Sequence, residues 1–567
     1  MNLSLSRNAT LPNACNAKST PDWSGKTQQP DIGGIMLRQQ RTACDRARRL
    51  KFQSSSRPLL ACAALGGGVA LAACLASSAG QASETPFAFF PGALIVSSST
   101  YAGTAATVTV GQTLPGGGTA IADGTYPNVF ENNTVDGSFG VTSPIILSQY
   151  FLSHDNRSAF LINTLNVTDK TGISTSFSSK SELALHFSEK GSALTFMGYN
   201  APINTLDVSN SNTPSHVDPT NPVAASYQRA IVQINGDRST LVTPVNTYSG
   251  NNGRSVILND SYGQNIYYTV GNAGNGSGTP PVFIVNNTGV QIAQPKVPDT
   301  TVVGIQQGTS GASKGFQYGY SVTQYGYTAD KSGKDDNFRG ETIFNKTLYV
   351  TKGSGGNGID TVFQVGAAGT LPTELTAAST QFAILPGLPA GLATNISTDP
   401  TSPNFATTNF HPFGIWFANA TTLYVADEGD GVNTAANALI PNAGLEKWTL
   451  SAGTWHLAYT LQNGLSLGVQ YSVPGLPSSL YPATDGLRNL TGKVNHDGTV
   501  TLFAITSTVS GSGDQGADPN RLVAITDRLA ATSLPPSEKF NLLETAGYGQ
   551  VLRGVALAQF ESQEDFH

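Results

Sequence analysis

Past the first ninety or so residues, short apolar runs alternate with clusters of Gly, Asn, Asp, Ser and Thr. That pattern predicts strands joined by polar turns. Two stretches nearly repeat: Thr347-Leu348-Tyr349-Val350 returns as Thr422-Leu423-Tyr424-Val425, 75 residues later. Each copy has an apolar strand before it, Phe338–Phe344 or Phe413–Phe417. Each has two more after it, Asp360–Val365 and Gln381–Leu385 in the first copy, Leu445–Leu450 and Trp455–Leu461 in the second. Four short antiparallel strands per period is the sequence signature of a β-propeller blade.

The same order can be laid over the rest of the chain. One unit runs Glu182–Phe187, Leu194–Tyr199, Ala230–Ile234 and Leu241–Val245. The next takes Ser255–Leu258, Ile266–Val270, Val282–Val285 and Val290–Ala293. A fifth takes Leu487–Val494, Val500–Thr506, Leu522–Thr526 and Phe540–Leu543. Strands are left over at both ends: Ala93–Val96, Pro144–Leu147 and Ala159–Ile162 at one, Arg553–Leu557 at the other. A sixth blade built from both termini uses them all and leaves no open edge. The expected fold is therefore an all-β propeller of six four-stranded blades, closed by pairing of Arg553–Leu557 with Ala93–Val96. A seventh blade would have to be drawn from residues 97–140. Two separate β-sandwiches would not share the near-constant spacing. Gly, Thr and Asn interrupt every stretch that could carry a helical stripe.

The first 82 residues are of another kind. They hold ten of the 31 Lys and Arg but only three of the 37 Asp and Glu. A basic stretch ending at Arg57 precedes the apolar run Leu59–Ala76, and small residues follow to Ala82. That order is an export signal. We expect a leader at 1–82 and one propeller domain at 83–567. Gly66-Gly67-Gly68 interrupts the apolar run and argues against a permanent span. Met36 would give a leader of conventional length. Leu71-Ala72-Ala73-Cys74 matches a lipobox, which would make an acylated Cys74 the mature N-terminus; cleavage after Ala82 would put Ser83 there. Arg48-Arg49-Leu50-Lys51-Phe52 resembles a twin-arginine signal in the wrong order. Export places the protein in the periplasm or outside the cell, free or lipid-anchored.

Without the leader the chain carries a net charge of −13. Nucleic acid, which needs a basic surface, is not an expected partner. All four cysteines (Cys15, Cys44, Cys62, Cys74) precede Ala82, so the remainder has neither disulfide nor thiol chemistry. No later segment is apolar enough to span a membrane.

Several motifs read as turns. Gly353–Gly358 satisfies GxGxxG, but a strand follows where a phosphate-holding helix would be needed. Gly355–Val362 fits a single copy of a calcium-binding nonapeptide that works only in tandem. Gly311-Ala312-Ser313-Lys314-Gly315 matches the GxSxG of serine hydrolases without the strand and helix of a nucleophile elbow. Asp427-Glu428-Gly429-Asp430 follows a strand, and Asp427, Glu428 and Asp430 are the residues that could hold Ca²⁺ there. The same loop also reads as a solvated, Asx-capped turn.

The arginines form a pattern. Arg254, Arg339, Arg488 and Arg553 each open the first strand of a unit, with Phe413 in the fourth unit's slot. First strands line a propeller's channel, so the four would meet at one mouth. They read either as a funnel for an anionic ligand or as mortar between blades. Of the seven scattered histidines no pair has zinc spacing. His411, just before a first strand, is the candidate base. Trp416, Trp448 and Trp455 fit blade core better than a sugar platform.

The segments "TLYVTKG", "TLYVADEGDG", "FRGETIF" and "LRGVALAQ" resemble blades of secreted bacterial propellers of the NHL, gluconolactonase and YVTN type. The resemblance covers about residues 90–560 and implies the fold and an export route, not an activity. Two functions follow as expectations. One is a non-catalytic envelope or extracellular protein that binds a small anionic ligand or another protein. The other is a metal-dependent, lactonase-like hydrolase or a lyase with its site in the channel.

Overall fold

The computed structural model describes residues 89–132, 140–278, 281–296, 303–304, 316–317, 335–355, 357–393, 409–431, 443–509 and 514–558. The chain divides between Ala82 and Ser83, and all of these residues belong to the second unit.

Six antiparallel sheets form six blades. Blade 1 is His186–Phe187, Ala193–Tyr199, Arg229–Asn235 and Thr240–Val245, from the axis outward. Blade 2 is Gly253–Asn259, Ile266–Gly271, Gly289–Ala293 and Val303–Gly304. Blade 3 is Glu341–Phe344, Thr347–Lys352, Thr361–Val365 and Phe382–Ile384, with Phe316–Gln317 added at its outer edge. Blade 4 is Pro412–Asn419, Thr422–Asp427, Gly444–Ser451 and Thr454–Leu461. Blade 5 is Ala483–Val494, Thr499–Val509, Arg521–Arg528 and Asn541–Thr545. Blade 6 joins the ends: Gln550–Leu557 is innermost, then Leu94–Thr100, Ile145–Leu152 and Ala159–Asn166.

The expected closure is present, with Leu94 opposite Leu557, Ile95 opposite Ala556 and Val96 opposite Val555. Each innermost strand touches the next around a complete ring. Residues 101–132 supply a short 3-10 helix, Asn128–Asn132, and no further blade. One expected strand is a helix. Val282–Asn286 forms a single α-turn after Pro281, and Gly289–Ala293 takes its place as the third strand of blade 2. A four-residue apolar run has too little periodicity to tell the two apart. Among the described residues, no helix is long and apolar enough to cross a membrane.

The core lies between blades rather than within one sandwich. In Thr422–Asp427, Leu423 and Val425 pack toward blade 3 with Val362 and Leu385. Tyr424 and Ala426 pack toward blade 5 with Leu487 and Leu502. The same two-faced alternation fills the other four interfaces. Fully burying such a side chain is worth about 1.5–3 kcal/mol, so six apolar interfaces stabilise the ring without disulfides.

Near the axis, polar bonds replace apolar packing. Ser97 donates to the Leu183 carbonyl, Thr195 to Val256, Thr351 to Phe413 and Asn489 to Arg553, each across a blade boundary. Close approach needs glycine. A Cβ on Gly414 would lie 2.5 Å from the Arg488 carbonyl oxygen, and one on Gly554 2.2 Å from that of Leu183. Farther along the same strands the channel is lined by Leu185, Phe187, Ile415, Trp416, Leu490 and Val555.

Candidate functional site

One end of the axis is covered by a short plug, Phe177–Glu182, which leads from the two-stranded ribbon Thr142–Ser143 and Thr175–Ser176 into blade 1. Phe177 anchors its start: it stacks on Phe130 at 5.9 Å and meets Tyr101 and Tyr126 edge-on. Glu182 anchors its end. Its carboxylate accepts from Thr175 Oγ1, Ser176 N, Tyr199 OH and Asn252 Nδ2.

All four arginines surround this plug, as their matched strand positions require. Arg254 and Arg488 lie on the innermost strands of blades 2 and 5, and Arg553 on that of blade 6. Arg339 sits two residues before the innermost strand of blade 3, and its N–H extends the ladder to the Thr351 carbonyl. All four are buried. Their partners differ. Arg488 Nε donates to Glu428 Oε2 at 3.1 Å, and Lys180 of the plug stands 3.7 Å from the same oxygen. Arg553 Nη2 donates to the Phe177 and Gly516 carbonyls. Arg339 donates to the hydroxyls of Ser181 and Ser354. Arg254 Nη1 donates to the Phe338 carbonyl at 2.6 Å, while its Nε has no partner among the described residues. Burial, and then Arg339, hold the Arg254 guanidinium well below its ordinary pKa. Burial, with Arg488 beside it, brings Arg553 to about 9. Like charges buried together are costly unless something neutralises them.

Arg229 shows the contrast. It is fully buried too, yet its guanidinium donates to the carbonyls of Ser209, Ser211, Asn212, Tyr227 and Asn251 and to Thr213 Oγ1. That arginine is mortar.

Two cavities flank the plug. The smaller, about 170 Å³, lies between plug, blade 2 and blade 3, against Lys180, Arg254, Arg339, Asn252, Asn272 and Asn337. No carboxylate is among its described lining residues. The larger, about 310 Å³, lies between plug and blades 3 to 5, against Lys180, Ser354, His411, Glu428, Asp485 and Arg488. Lys180 lines both, and the Arg339–Ser354 bond joins their walls.

The larger cavity is rich in acid–base groups. His411 directs Nδ1 to the Gly353 carbonyl at 3.1 Å, and its Nε2 has no partner among the described residues. Burial alone would lower its pKa; the carboxylates of Asp427, Asp360 and Glu428 outweigh that and raise it. Burial would raise Glu428, but Lys180, Arg488 and Arg339 hold it at about 2. Asp485 accepts from Gly431 N through Oδ2, and burial beside Asp430 lifts it to about 7. Glu428 Oε1 and Asp485 Oδ1 have no partner among the described residues.

The acidic turn is engaged piecemeal. Asp427 accepts from the backbone N–H groups of His411 and Gly429, Glu428 pairs with Arg488 and Lys180, and Asp430 lines the larger cavity beside Asp485. Among the described residues, no three His, Cys, Asp or Glu side chains converge as metal ligands would. Gly353–Gly358 connects two strands of blade 3. Ser313 and its GxSxG lie outside the described residues. Trp448 and Trp455 are buried between blades 3 and 4, and Trp416 faces the channel.

Sequence reasoning missed Lys180, Asp485 and the four asparagines of the smaller cavity. Lys180 sits on a linker outside the blade period, where no repeat marks it. Asp485 lies three residues before Arg488 on a first strand, and its place beside the arginine slot was the available signal.

No known protein family and no curated protein matches the chain. Among solved structures it is similar to a periplasmic gluconolactonase of Pseudomonas aeruginosa, at 10% identity and a TM-score of 0.28, over 75% of this chain and 98% of that one. It is also similar to the hemagglutinin-neuraminidase of parainfluenza virus 5, at 10% identity and a TM-score of 0.30, over 74% and 84%. A third is a polysaccharide lyase of the ulvan lyase family PL25, at 9% identity and a TM-score of 0.26, over 82% and 98%. These likenesses carry no residue across.

Proposed function

We propose that this chain is an exported propeller that binds a small anionic ligand in the arginine-lined cavity beside the plug. The observation that carries the reading is the cavity itself. Lys180, Arg254 and Arg339 share a wall with four asparagines, Asn251, Asn252, Asn272 and Asn337, and no described carboxylate. Arg254 adds a buried Nε that has no partner among the described residues. Guanidinium groups held this way favour a carboxylate, phosphate or sulfate, which takes short charge-assisted bonds from several donors at once. Mortar would look like Arg229, with its donors spent on five carbonyls and a hydroxyl.

Calorimetric titration of the full chain with sulfate and with acetate tests this. Arg254→Met should weaken binding by tenfold or more, since a bond to an ionised group is worth about 1.5–3 kcal/mol, with folding cooperativity retained. Unchanged anion affinity in that variant contradicts the proposal.

The basic leader supports the export half of the reading, with a mature chain that begins at Ser83 or at acylated Cys74. N-terminal sequencing of the envelope or culture-medium protein decides it. A mature chain that still contains Met36 contradicts it.

A further inference from the structure

Beside the anion cavity stands a second cavity whose groups ask for something else. Glu428 Oε1 and Asp485 Oδ1 are carboxyl oxygens without partners among the described residues, and His411 Nε2 is a ring nitrogen without one. All three belong to side chains that are more than nine-tenths buried, and all three residues line the same space. Buried polar atoms in native proteins are nearly always satisfied, so three orphans in one cavity point to a ligand. The mixture narrows its chemistry. An anion would meet Glu428 and Asp485, and an ammonium group would meet Lys180 and Arg488. A hydroxyl both donates and accepts, so it can serve a carboxylate and a histidine alike.

We infer that the ligand is a polyhydroxylated anion, its charged group between Arg254 and Arg339 and its hydroxyls against Glu428, Asp485 and His411. The inference rests on the anion-binding reading above and extends it across Lys180, which both cavities share. The anionic group is a carboxylate, a sulfate or a phosphate; the hydroxyl-bearing chain supplies the discrimination.

The test uses three probes on the full chain at neutral pH: D-galactonate, hexanoate and sorbitol. Galactonate has the anion and the hydroxyls, hexanoate the anion on a carbon chain of the same length, and sorbitol the hydroxyls alone. Galactonate should bind tenfold or more tighter than either, the gain expected when hydroxyls satisfy buried carboxyl groups that otherwise lack a partner. Asp485→Ala should remove most of that advantage and leave hexanoate affinity unchanged, which also shows that the variant has a folded mouth. Equal affinity for galactonate and hexanoate overturns this inference and leaves the anion reading standing. Sorbitol as tight as galactonate overturns it as well. Failure of both anions to bind overturns the anion reading, and this inference with it.

Discussion

At the residue scale, the mouth is a set of ionisable groups whose neighbours push them apart. Glu428 and Asp485 are both buried carboxylates on the same cavity, yet cationic neighbours hold one at about 2 while burial beside Asp430 lifts the other to about 7. Their effects on stability have opposite signs. The pKa of Glu428 is depressed on folding, so its contribution is present above the unfolded value, about 4.3, and is lost as pH falls toward 2. Asp485 is raised on folding. Its contribution is full below the unfolded value, about 3.9, and is lost as pH rises through 7. Asp485→Asn should therefore flatten the stability profile between pH 4 and 7, where the wild type loses up to about 1.4 kcal/mol per pH unit relative to the variant. Urea denaturation across that range checks it; parallel profiles for the two proteins contradict the assignment.

At the scale of elements, an innermost strand has to approach its neighbour while leaving the mouth free for long side chains. Gly414 shows how this is done. Any side chain there would press on the Arg488 carbonyl, 2.5 Å from a Cβ, and on Leu490 N at 3.0 Å. Both obstacles are backbone, so Gly414→Ala should destabilise the ring by about 1–3 kcal/mol, the usual range for overpacking. A thermal midpoint equal to the wild type's would show that the strands have room to separate. The strands themselves were legible in the sequence because each of the clearest units repeats the same apolar alternation, and because Arg553–Leu557 and Ala93–Val96 had no other partner. Val282–Asn286 was misread because a buried strand and one helical turn look alike over so few residues. The arginine slots were legible by register alone. The plug was not, since Phe177–Glu182 is held by an aromatic cluster and a buried carboxylate assembled from residues far apart in sequence.

At the scale of the molecule, the ring brings together side chains that the chain spaces widely. Arg254, Arg488 and Arg553 lie on the innermost strands of three blades and Arg339 just before that of a fourth, and the plug crosses the axis so that a single residue, Lys180, lines a cavity on either side. If the cavity of Arg254 and Arg339 is an anion site, as we propose, an anion should order there. A crystal of the full chain grown with selenate, an anomalously scattering analogue of sulfate, tests it most directly. An ordered anomalous peak is expected within hydrogen-bonding distance of both guanidinium groups. Selenate ordered elsewhere on the protein, with none between Arg254 and Arg339, would contradict it.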